Sequence, residues 1–169
     1  MTECSQNKSD PFCTRPIREG DAEQLRALYL LSLSLNKGGF VQDVSYHGCI
    51  TDIAAGLIDA GGEMLALCDG EAICGFGAIK PLDENGAVEL GNLHLHPDYQ
   101  KRGLGRRLIE ALLDCARSKA FEKVVLHVTV TQESAIALYK KLGFIQTGRK
   151  IYTVAGQDFD TLHMELVLG

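Results

Sequence analysis

The fold is decided by the stretch HPDYQKRGLGRRL, residues 96 to 108. An apolar segment ends just before it at Leu95, and a helical pattern follows in which Leu104, Leu108 and Leu112 recur on one face. The first amide groups of a helix have no partners inside the helix, and the helix dipole adds positive potential there. This glycine-rich turn between a strand and a helix is therefore predicted to bind an anion such as a pyrophosphate.

The residues of the turn suit that ligand. Gly103 and Gly105 have no Cβ, so a phosphate can approach the main chain closely. Four cations surround the turn, namely Lys101, Arg102, Arg106 and Arg107. Two other nucleotide sites lack their signatures: a dinucleotide-binding fingerprint needs a third glycine where this chain has Leu108, and the P-loop Gly-Lys-Ser/Thr triplet is absent.

Outward from the turn, the sequence predicts one domain with the element order β-α-α-β-β-β-α-β-α-β-β. The predicted elements are a strand at 13–18, helices at 21–35 and 49–60, strands at 64–68, 73–79 and 87–95, a helix at 103–119, a strand at 123–130, a helix at 133–141, and strands at 144–154 and 159–168. Asp21 is the predicted N-cap of the first helix, with Gln24 at its third position. Residues 1–12 are polar and predict a flexible tail before a domain of residues 13–169.

Composition limits the class of protein. The 169 residues are 46% hydrophobic, which suits one globular domain. The chain contains no apolar run of about 20 residues, so we expect no membrane association, and no signal-peptide pattern, so we expect a cytoplasmic protein. Six widely spaced cysteines without a C-x-x-C pair predict reduced thiols. His94 and His96 would share a strand face, but no acidic or cysteine partner is near, so no metal site is expected.

Charge is divided unevenly along the chain. Residues 1–99 hold 6 basic and 15 acidic side chains, a net charge of −9, whereas residues 100–169 hold 11 and 7, a net charge of +4. An acidic protein with one modest basic cluster is a poor candidate for nucleic-acid binding. The basic half suits an anionic ligand, and the acidic half favours a cationic or amine partner.

Two motifs resemble those of a known family. Gln100-Lys101-Arg102-Gly103-Leu104-Gly105 is similar to the Q/R-x-x-G-x-G/A signature of the GNAT superfamily, the acyl-CoA-dependent N-acetyltransferases, and residues 135–144, AIALYKKLGF, resemble its second motif. The resemblance spans about residues 13–168 and is strongest over 89–144. It implies an α+β fold with a mixed, mostly antiparallel sheet and flanking helices. The strand ending near Leu95 and the strand at 124–130 would run parallel and splay apart, with acetyl-CoA in the V between them.

The resemblance also implies the residues that hold acetyl-CoA. Backbone groups of Leu93, His94 and Leu95 would contact the acetyl carbonyl and the pantetheine arm, with an amide near Leu95 polarising the carbonyl. Backbone amides of six residues would hold the pyrophosphate, namely Gln100, Lys101, Arg102, Gly103, Leu104 and Gly105. The other side of the pantetheine would be lined by Gln132, Ala135 and Tyr139. The family often has Asn where this chain has Gln132, which has a longer side chain.

Acetyl transfer needs an acid and a base. Tyr139, placed by its motif near the thioester sulfur, is the expected general acid for the leaving thiolate. A primary alkylamine has a pKa near roughly 10, so its proton must be removed before it attacks. Glu89, on the splayed strand four residues before Leu93, is the expected base, as some family members carry a Glu at the matching position. His94, His127 and water are the alternatives.

The expected function is direct transfer of acetyl from acetyl-CoA to the primary amine of a small molecule. Two alternatives stay open: a protein N-terminal or lysine acetyltransferase, and a catalytically silent acyl-CoA-binding module. The family usually builds its acceptor pocket from the first two helices and their connection, here about residues 33–62. Candidates within it are Phe40, Asp43, Tyr46, His47 and Asp52. The sequence leaves the oligomeric state open, a homodimer included.

Overall fold

A computed structural model describes residues 10–35, 50–84 and 86–169 of the chain. The strands are β1 (Phe12–Pro16), β2 (Glu63–Asp69), β3 (Ala72–Pro81), β4 (Ala87–Leu95), β5 (Lys123–Thr129), β6 (Ile145–Val154) and β7 (Gln157–Val167). The helices are α1 (Ala22–Leu35), α2 (Ile50–Asp59), α3 (Leu104–Ser118) and α4 (Glu133–Lys141), and short 3₁₀ turns lie at Glu19–Asp21 and Pro97–Tyr99. The predicted order of strands and helices is confirmed.

All seven strands form one mixed sheet in the order β1-β2-β3-β4-β5-β7-β6. Every neighbouring pair is antiparallel except β4 and β5, which run parallel. The parallel pairing extends only from Ala87 opposite Lys123 to Glu89 opposite Val125. Beyond these residues each strand continues along its outer neighbour alone, so a gap opens in the middle of the sheet. The predicted splay of the parallel pair is confirmed.

The helices cover the two faces of the sheet and bury two apolar clusters. On one face, α3 and α4 pack over the sheet, and Leu108 and Leu112 of α3 are almost fully buried in a cluster that also contains Val124 and Leu126 of β5. On the other face, α1 and α2 cover β2 and β3, with Leu25 and Phe76 in the centre. Among the described residues, the main contacts of α1 and α2 are with β2, β3 and β4, so the β5–β7–β6 part of this second face lies outside their main contact area, beside the gap.

A β-bulge changes the direction of the side chains near the end of β4. Phe76 of β3 pairs with His94, whereas Ala78 pairs with Gly91, so β4 has one extra residue in this interval. Asn92 takes up that residue with a φ of 52°, a left-handed conformation that asparagine adopts more readily than most residues. As a result Leu93 packs toward α3 with the first apolar cluster, whereas His94 lies on the opposite face.

The prediction that Asp21 and Gln24 cap the first helix is wrong about the groups to which their side chains bond. The Asp21 carboxylate is buried and accepts two hydrogen bonds from Arg15, at 2.7 and 2.9 Å, and one from the Arg18 amide at 2.8 Å. It therefore closes the 3₁₀ turn before α1 and ties it to β1. Gln24 reaches across instead, donating to the Glu71 carbonyl and accepting from the Ile73 amide.

The first strand also starts earlier than predicted. β1 begins at Phe12, one residue before the predicted strand. Arg107 of α3 forms an ion pair with Asp10 and donates to the Phe12 carbonyl at 2.7 Å. Asp10 and Phe12, which the sequence assigned to the tail, thus contact the body of the protein. Residues 1–9 of that tail lie outside the described residues.

Candidate active site

The gap between β4 and β5 opens into a cleft of about 560 Å³. The cleft lies between the end of β4, the first turns of α3 and the start of α4. Its lining residues are Leu93, His94, Leu95, Gly105, Leu108, Ile109, Thr131, Gln132, Glu133, Ser134, Ala135, Leu138 and Tyr139. Seven of these were expected from the sequence. The other six were not, and they come from α3 (Leu108 and Ile109), the β5–α4 connection (Thr131) and α4 (Glu133, Ser134 and Leu138).

Two residues of β4 offer main-chain groups to the cleft. The His96 amide donates to the Cys74 carbonyl of β3 at 2.8 Å. Because main-chain groups alternate in direction along an antiparallel strand, those of His94 also point toward β3, and those of Leu93 and Leu95 point into the gap. The Leu95 carbonyl accepts a hydrogen bond from the Gln100 side chain at 3.2 Å. The Leu95 amide, which also points into the gap, can therefore donate to a ligand.

The first turn of α3 has the features of an anion site. Gly103 is its N-cap, with a φ of 76° and no side-chain cap, and a Cβ there would meet nothing within 4 Å. The first helical hydrogen bond runs from the Arg107 amide to the Gly103 carbonyl, so the amides of residues 103–106 have no helical partner. No acidic residue lies in this first turn. The residues present therefore fit a pyrophosphate.

Three of the four cations around this turn have protein partners. Arg106 pairs with Glu110 at 2.9 Å, and Arg107 pairs with Asp10. The Arg102 guanidinium stacks over the rings of Phe12 and Tyr99, at 5.2 and 5.4 Å from their centroids. The side chain of Lys101 has no ion-pair partner among the described residues. Main-chain amides, with Lys101 nearby, are thus the best-placed groups for a phosphate.

Tyr139 is held on the wall of the cleft by Phe144, the residue just before β6. Its ring is buried and packs edge-on against Phe144 with centroids 5.7 Å apart. Burial raises the pKa of Tyr139 to about 12. The hydroxyl therefore stays protonated throughout the physiological range and can donate. Within the described part of the chain, no hydrogen bond holds this hydroxyl.

The start of α4 also faces the cleft. Gln132 is the N-cap of α4, and its side chain makes no cap hydrogen bond. The Ile136 amide makes the first helical bond, to the Gln132 carbonyl, so the amides of residues 133–135 have no helical partner. A polar, amide-containing ligand arm can therefore be held from this side, as expected for Gln132 and Ala135.

Glu89 lies on the opposite face of the sheet from Tyr139. Its carboxylate is 4.0 Å from Nδ1 of His127, and about a third of the Glu89 side chain is exposed. The next residue on this face is Gly91, where an added Cβ would be 3.9 Å from Glu89 Oε1. With no side chain at Gly91, the space from the carboxylate toward the gap is open. The structure thus brings together Glu89 and His127, which the sequence considered as separate candidates for the base.

His94, the third candidate for the base, has a different environment. Its imidazole packs against Phe76 and Tyr29, with ring centroids 4.8 and 5.3 Å away. This burial lowers the pKa of His94 to about 4. His94 is therefore uncharged near neutral pH and a weak base. The His94 side chain packs in the apolar contact between α1 and the sheet.

Two residues beside Glu89 and His127 were not foreseen from the sequence. His163 of β7 is the direct cross-strand partner of His127, and the hydroxyl of Tyr152 of β6 is 2.8 Å from His163 Nε2. Neither residue is near Glu89 in sequence. Only the strand order, with β7 between β5 and β6, brings them together. No short-range signal could have identified them.

Of the five candidate acceptor residues, the structure describes only Asp52. Phe40, Asp43, Tyr46 and His47 lie outside the described residues. Asp52 is in the first turn of α2 and exposed.

No helix in residues 10–35, 50–84 and 86–169 has the length and hydropathy of a membrane span. Within the same ranges, no three His, Cys, Asp or Glu residues are placed to hold a metal ion.

Comparison with known proteins agrees with this geometry. The acetyltransferase (GNAT) family matches residues 26–144, which is more than half of the chain. The chain belongs to the GNAT acetyltransferase family. The structure of yncA from Salmonella typhimurium with its cofactor acetyl-CoA superposes with a TM-score of 0.81, over 95% of each chain, at 20% sequence identity. At that identity the likeness establishes the shared fold.

Sequence relatives of this GNAT chain include two curated enzymes. It is 35% identical over 100 residues to the N-alpha-acetyltransferase RimI of Mycobacterium tuberculosis, covering 57% of this chain and 61% of that protein. It is 38% identical over 90 residues to the [ribosomal protein bS18]-alanine N-acetyltransferase of Salmonella typhimurium, covering 52% and 59%. The chain thus spans about three fifths of the length of these relatives.

Proposed function

We propose that this GNAT protein transfers the acetyl group of acetyl-CoA to a primary amine. One observation carries the proposal. The gap between β4 and β5 has an anion site and Tyr139 on one face, and Glu89 with His127 on the other. A thioester held in the gap would therefore have a proton donor on one side and proton acceptors on the other. This arrangement argues against a silent binding module, which needs neither group.

Acetyl-CoA would be held by groups described above. Its pyrophosphate would lie on the free amides of residues 103–106, and its pantetheine arm between Leu95 and the start of α4. Bound acetyl-CoA supplies an activated acyl thioester. The protein supplies the amides of Leu93 and Leu95, either of which can donate to the carbonyl oxygen as negative charge develops there. Tyr139 donates a proton toward the departing sulfur.

We assign the base role to Glu89 acting together with His127. Glu89 is four residues before Leu93, which is roughly 13 Å along a strand. His127 is two residues beyond Val125, the partner of Glu89, and so about 7 Å closer to the open end of the gap. An amine that attacks near Leu93 would thus meet His127 first. The carboxylate of Glu89 would stabilise the imidazolium formed there.

The acceptor we propose is a small-molecule amine that is protonated in solution. The support is the net charge of −9 on residues 1–99, which attracts a cation, and the carboxylate of Glu89 on the acceptor side of the gap. A peptide or protein N-terminus is the second candidate. It is favoured by the relatives named for N-alpha- and ribosomal-protein-alanine acetylation, and by the face of β5–β7–β6, which lies outside the main contact area of α1 and α2.

An acceptor panel tests the proposal. The protein would be incubated with acetyl-CoA and either small di- and polyamines, lysine side-chain analogues, or short peptides with a free N-terminus, and release of the CoA thiol would be followed. The same peptides with an acetylated N-terminus are the matched control. We expect transfer to at least one small amine. Transfer to free peptides alone would establish the second candidate, and thiol release that no acceptor stimulates would refute the proposed transfer.

A further inference from the structure

His163 and Tyr152 lie next to the pair formed by Glu89 and His127. The proposed transfer gives neither of them a role. His163 faces His127 directly across β5 and β7, with ring centroids 4.3 Å apart and ring planes at 70°. Tyr152 stacks on His163 with planes at 18°, and its hydroxyl is 2.8 Å from His163 Nε2. A chain of contacts therefore runs from Glu89 through His127 and His163 to Tyr152.

We propose that His163, held by Tyr152, is a positioning residue for acetyl transfer. It fixes the His127 imidazole beside Glu89 and itself remains uncharged, so that His127 receives the proton of the amine. This inference rests on the proposed function, because it assigns the partners of the base in that same site.

The geometry explains why His127 needs such a partner. The His127 side chain is 40% exposed, and an exposed side chain moves freely between rotamers. Glu89 lies on its Nδ1 side, and His163 packs against the ring. The imidazole is thus held between β4 and β7, with Nε2 left to accept a proton. His163 is itself held, since the Tyr152 hydroxyl is 2.8 Å from its Nε2.

The charges around His163 explain why it stays neutral. Among the residues that the structure describes, the titratable groups on this face of the sheet include Lys80 of β3, which pairs with Glu89 of β4, and also Lys123 and His127 of β5, Glu165 of β7, and Lys150 and Tyr152 of β6. Lys123 and Glu165 pair with each other at 3.6 Å. Burial lowers the pKa of His163, and the charges of His127 and Lys150 lower it further. Two adjacent imidazolium ions would repel each other, so the pair binds its second proton only at a lower pH than its first.

The protons of the reaction balance on this assignment. An ammonium group gives one proton to His127 Nε2, and the neutral amine forms the C–N bond at the thioester carbon. When the C–S bond breaks, the thiolate takes a proton from Tyr139. The nitrogen then loses its second proton, which restores the Tyr139 hydroxyl through water. The products are an amide and a thiol, and His127 releases one proton to solvent.

The acidic limb of the pH profile tests the inference. In wild type both imidazoles must be neutral, so log kcat/KM should approach a slope of two as pH falls from 8 to 5. In His163→Gln the amide keeps a hydrogen bond to Tyr152 but cannot be protonated, so the slope should fall to one. A residue with a merely structural role would lower the whole profile without changing its shape. Equal slopes in the two proteins would overturn the inference.

Two neighbouring hydroxyls in β6 provide a matched pair of variants. Tyr152→Phe keeps the ring but releases His163, and should lower kcat by about 2- to 10-fold with the KM for acetyl-CoA unchanged. Thr153→Val also removes a hydroxyl, one that bonds Asp158 on the opposite face of the hairpin, and should leave kcat unchanged. An equal effect of the two variants on kcat would contradict the role of Tyr152.

A titration of the ligand-free protein tests the coupling without any acceptor. We expect the His163 pKa, followed by NMR, to be higher in His127→Asn than in wild type, because the neighbouring charge is lost. An unchanged titration would overturn the inference. If wild-type protein proved inactive with every acceptor, the proposed function would fail, and this titration would still decide whether the two imidazoles act as a pair.

Discussion

Tyr139 combines an apolar environment with a polar task. Burial raises its pKa to about 12, so in the proposed mechanism the hydroxyl is protonated and able to donate over the whole working range, and it should contribute no basic limb to the pH profile below about pH 11. Its ring packs on Phe144, and this packing is retained when only the hydroxyl is removed. Chemistry and stability can therefore be separated at this residue.

Tyr139→Phe tests that separation. We expect kcat to fall by roughly 100-fold, the lower end for a general acid, while the melting temperature and the affinity for CoA stay close to those of wild type. Steady-state kinetics, thermal unfolding and calorimetry would measure the three quantities. Full kcat in the Tyr139→Phe variant would assign the proton donor to water or another group.

His94 should make the fold sensitive to acid. Its pKa is about 4 in the folded protein and near 6.5 when unfolded, so the unfolded state binds its proton first. The stability it contributes is complete above pH 6.5 and is lost as pH falls through 4. We expect His94→Asn to lose less free energy of unfolding than wild type between pH 7 and pH 5, by up to about 2 kcal/mol. Urea titrations of both proteins at pH 7 and pH 5 would measure these free energies. Equal losses of unfolding free energy in the two proteins would show that the prediction is wrong.

At the scale of the residue, sequence reasoning is most specific where a motif fixes the position of a residue. Tyr139, Ala135 and Gly105 line the cleft as expected. It could not find His163 or Tyr152, because their approach to His127 depends on strand pairing between distant segments. It also could not give the burial of His94, since that depends on packing against α1.

Two separate reasons favour glycine at position 103 in the turn before α3: the backbone has a positive φ there, and the proposed phosphate needs the space that a side chain would fill. Gly103 and Gly156 have nearly equal positive φ angles, 76° and 79°, and open space at the Cβ position. Gly103→Val and Gly156→Val should therefore lose similar stability, about 1–2 kcal/mol. Only Gly103→Val should weaken CoA binding, by at least tenfold, because its side chain enters the phosphate site. Calorimetry that shows equal CoA affinity for both variants would place the site elsewhere.

The bulge of β4 depends on a glycine in the neighbouring strand. A Cβ at Gly77 would lie 2.6 Å from Leu93 Cδ2 and 2.9 Å from Leu112 Cδ1. We expect Gly77→Ala to cost about 1–3 kcal/mol and to raise the KM for acetyl-CoA, since Leu93 must move toward the cleft. The double variant with Leu93→Ala should lose less than the sum of the single losses. Additive losses would show that the two residues do not compete for space.

Element bounds were predicted well because glycine and proline mark most of them. The bounds of β4 and α4 agree with those expected, and α3 starts one residue after its predicted first position. The bulge at Asn92 was not predicted, although its effect is visible in the sequence as imperfect alternation along β4. A Gly-Asn pair within a strand is the one local signal, because both residues tolerate the left-handed conformation.

On the scale of the whole molecule, ligand binding should stabilise the fold. The cleft joins β4, α3 and α4, so CoA would contact elements that lie far apart in sequence. At 100 times its dissociation constant, CoA should add about 2.7 kcal/mol, or a rise of roughly 5–10 °C in melting temperature for a chain of this size. Scanning fluorimetry would measure the rise, with Gly103→Val as the control. No rise in wild type at millimolar CoA would contradict the assigned site.

The parting of β4 and β5 also affects how the protein behaves without its ligand. It leaves two unpaired strand edges inside the sheet, and an unpaired edge is a template on which another chain can add a strand. We expect acetyl-CoA to cover these edges when it fills the gap. The co-substrate would then protect the protein from self-association as well as supply its acyl group, so that starvation for acetyl-CoA would threaten solubility before it threatened the fold.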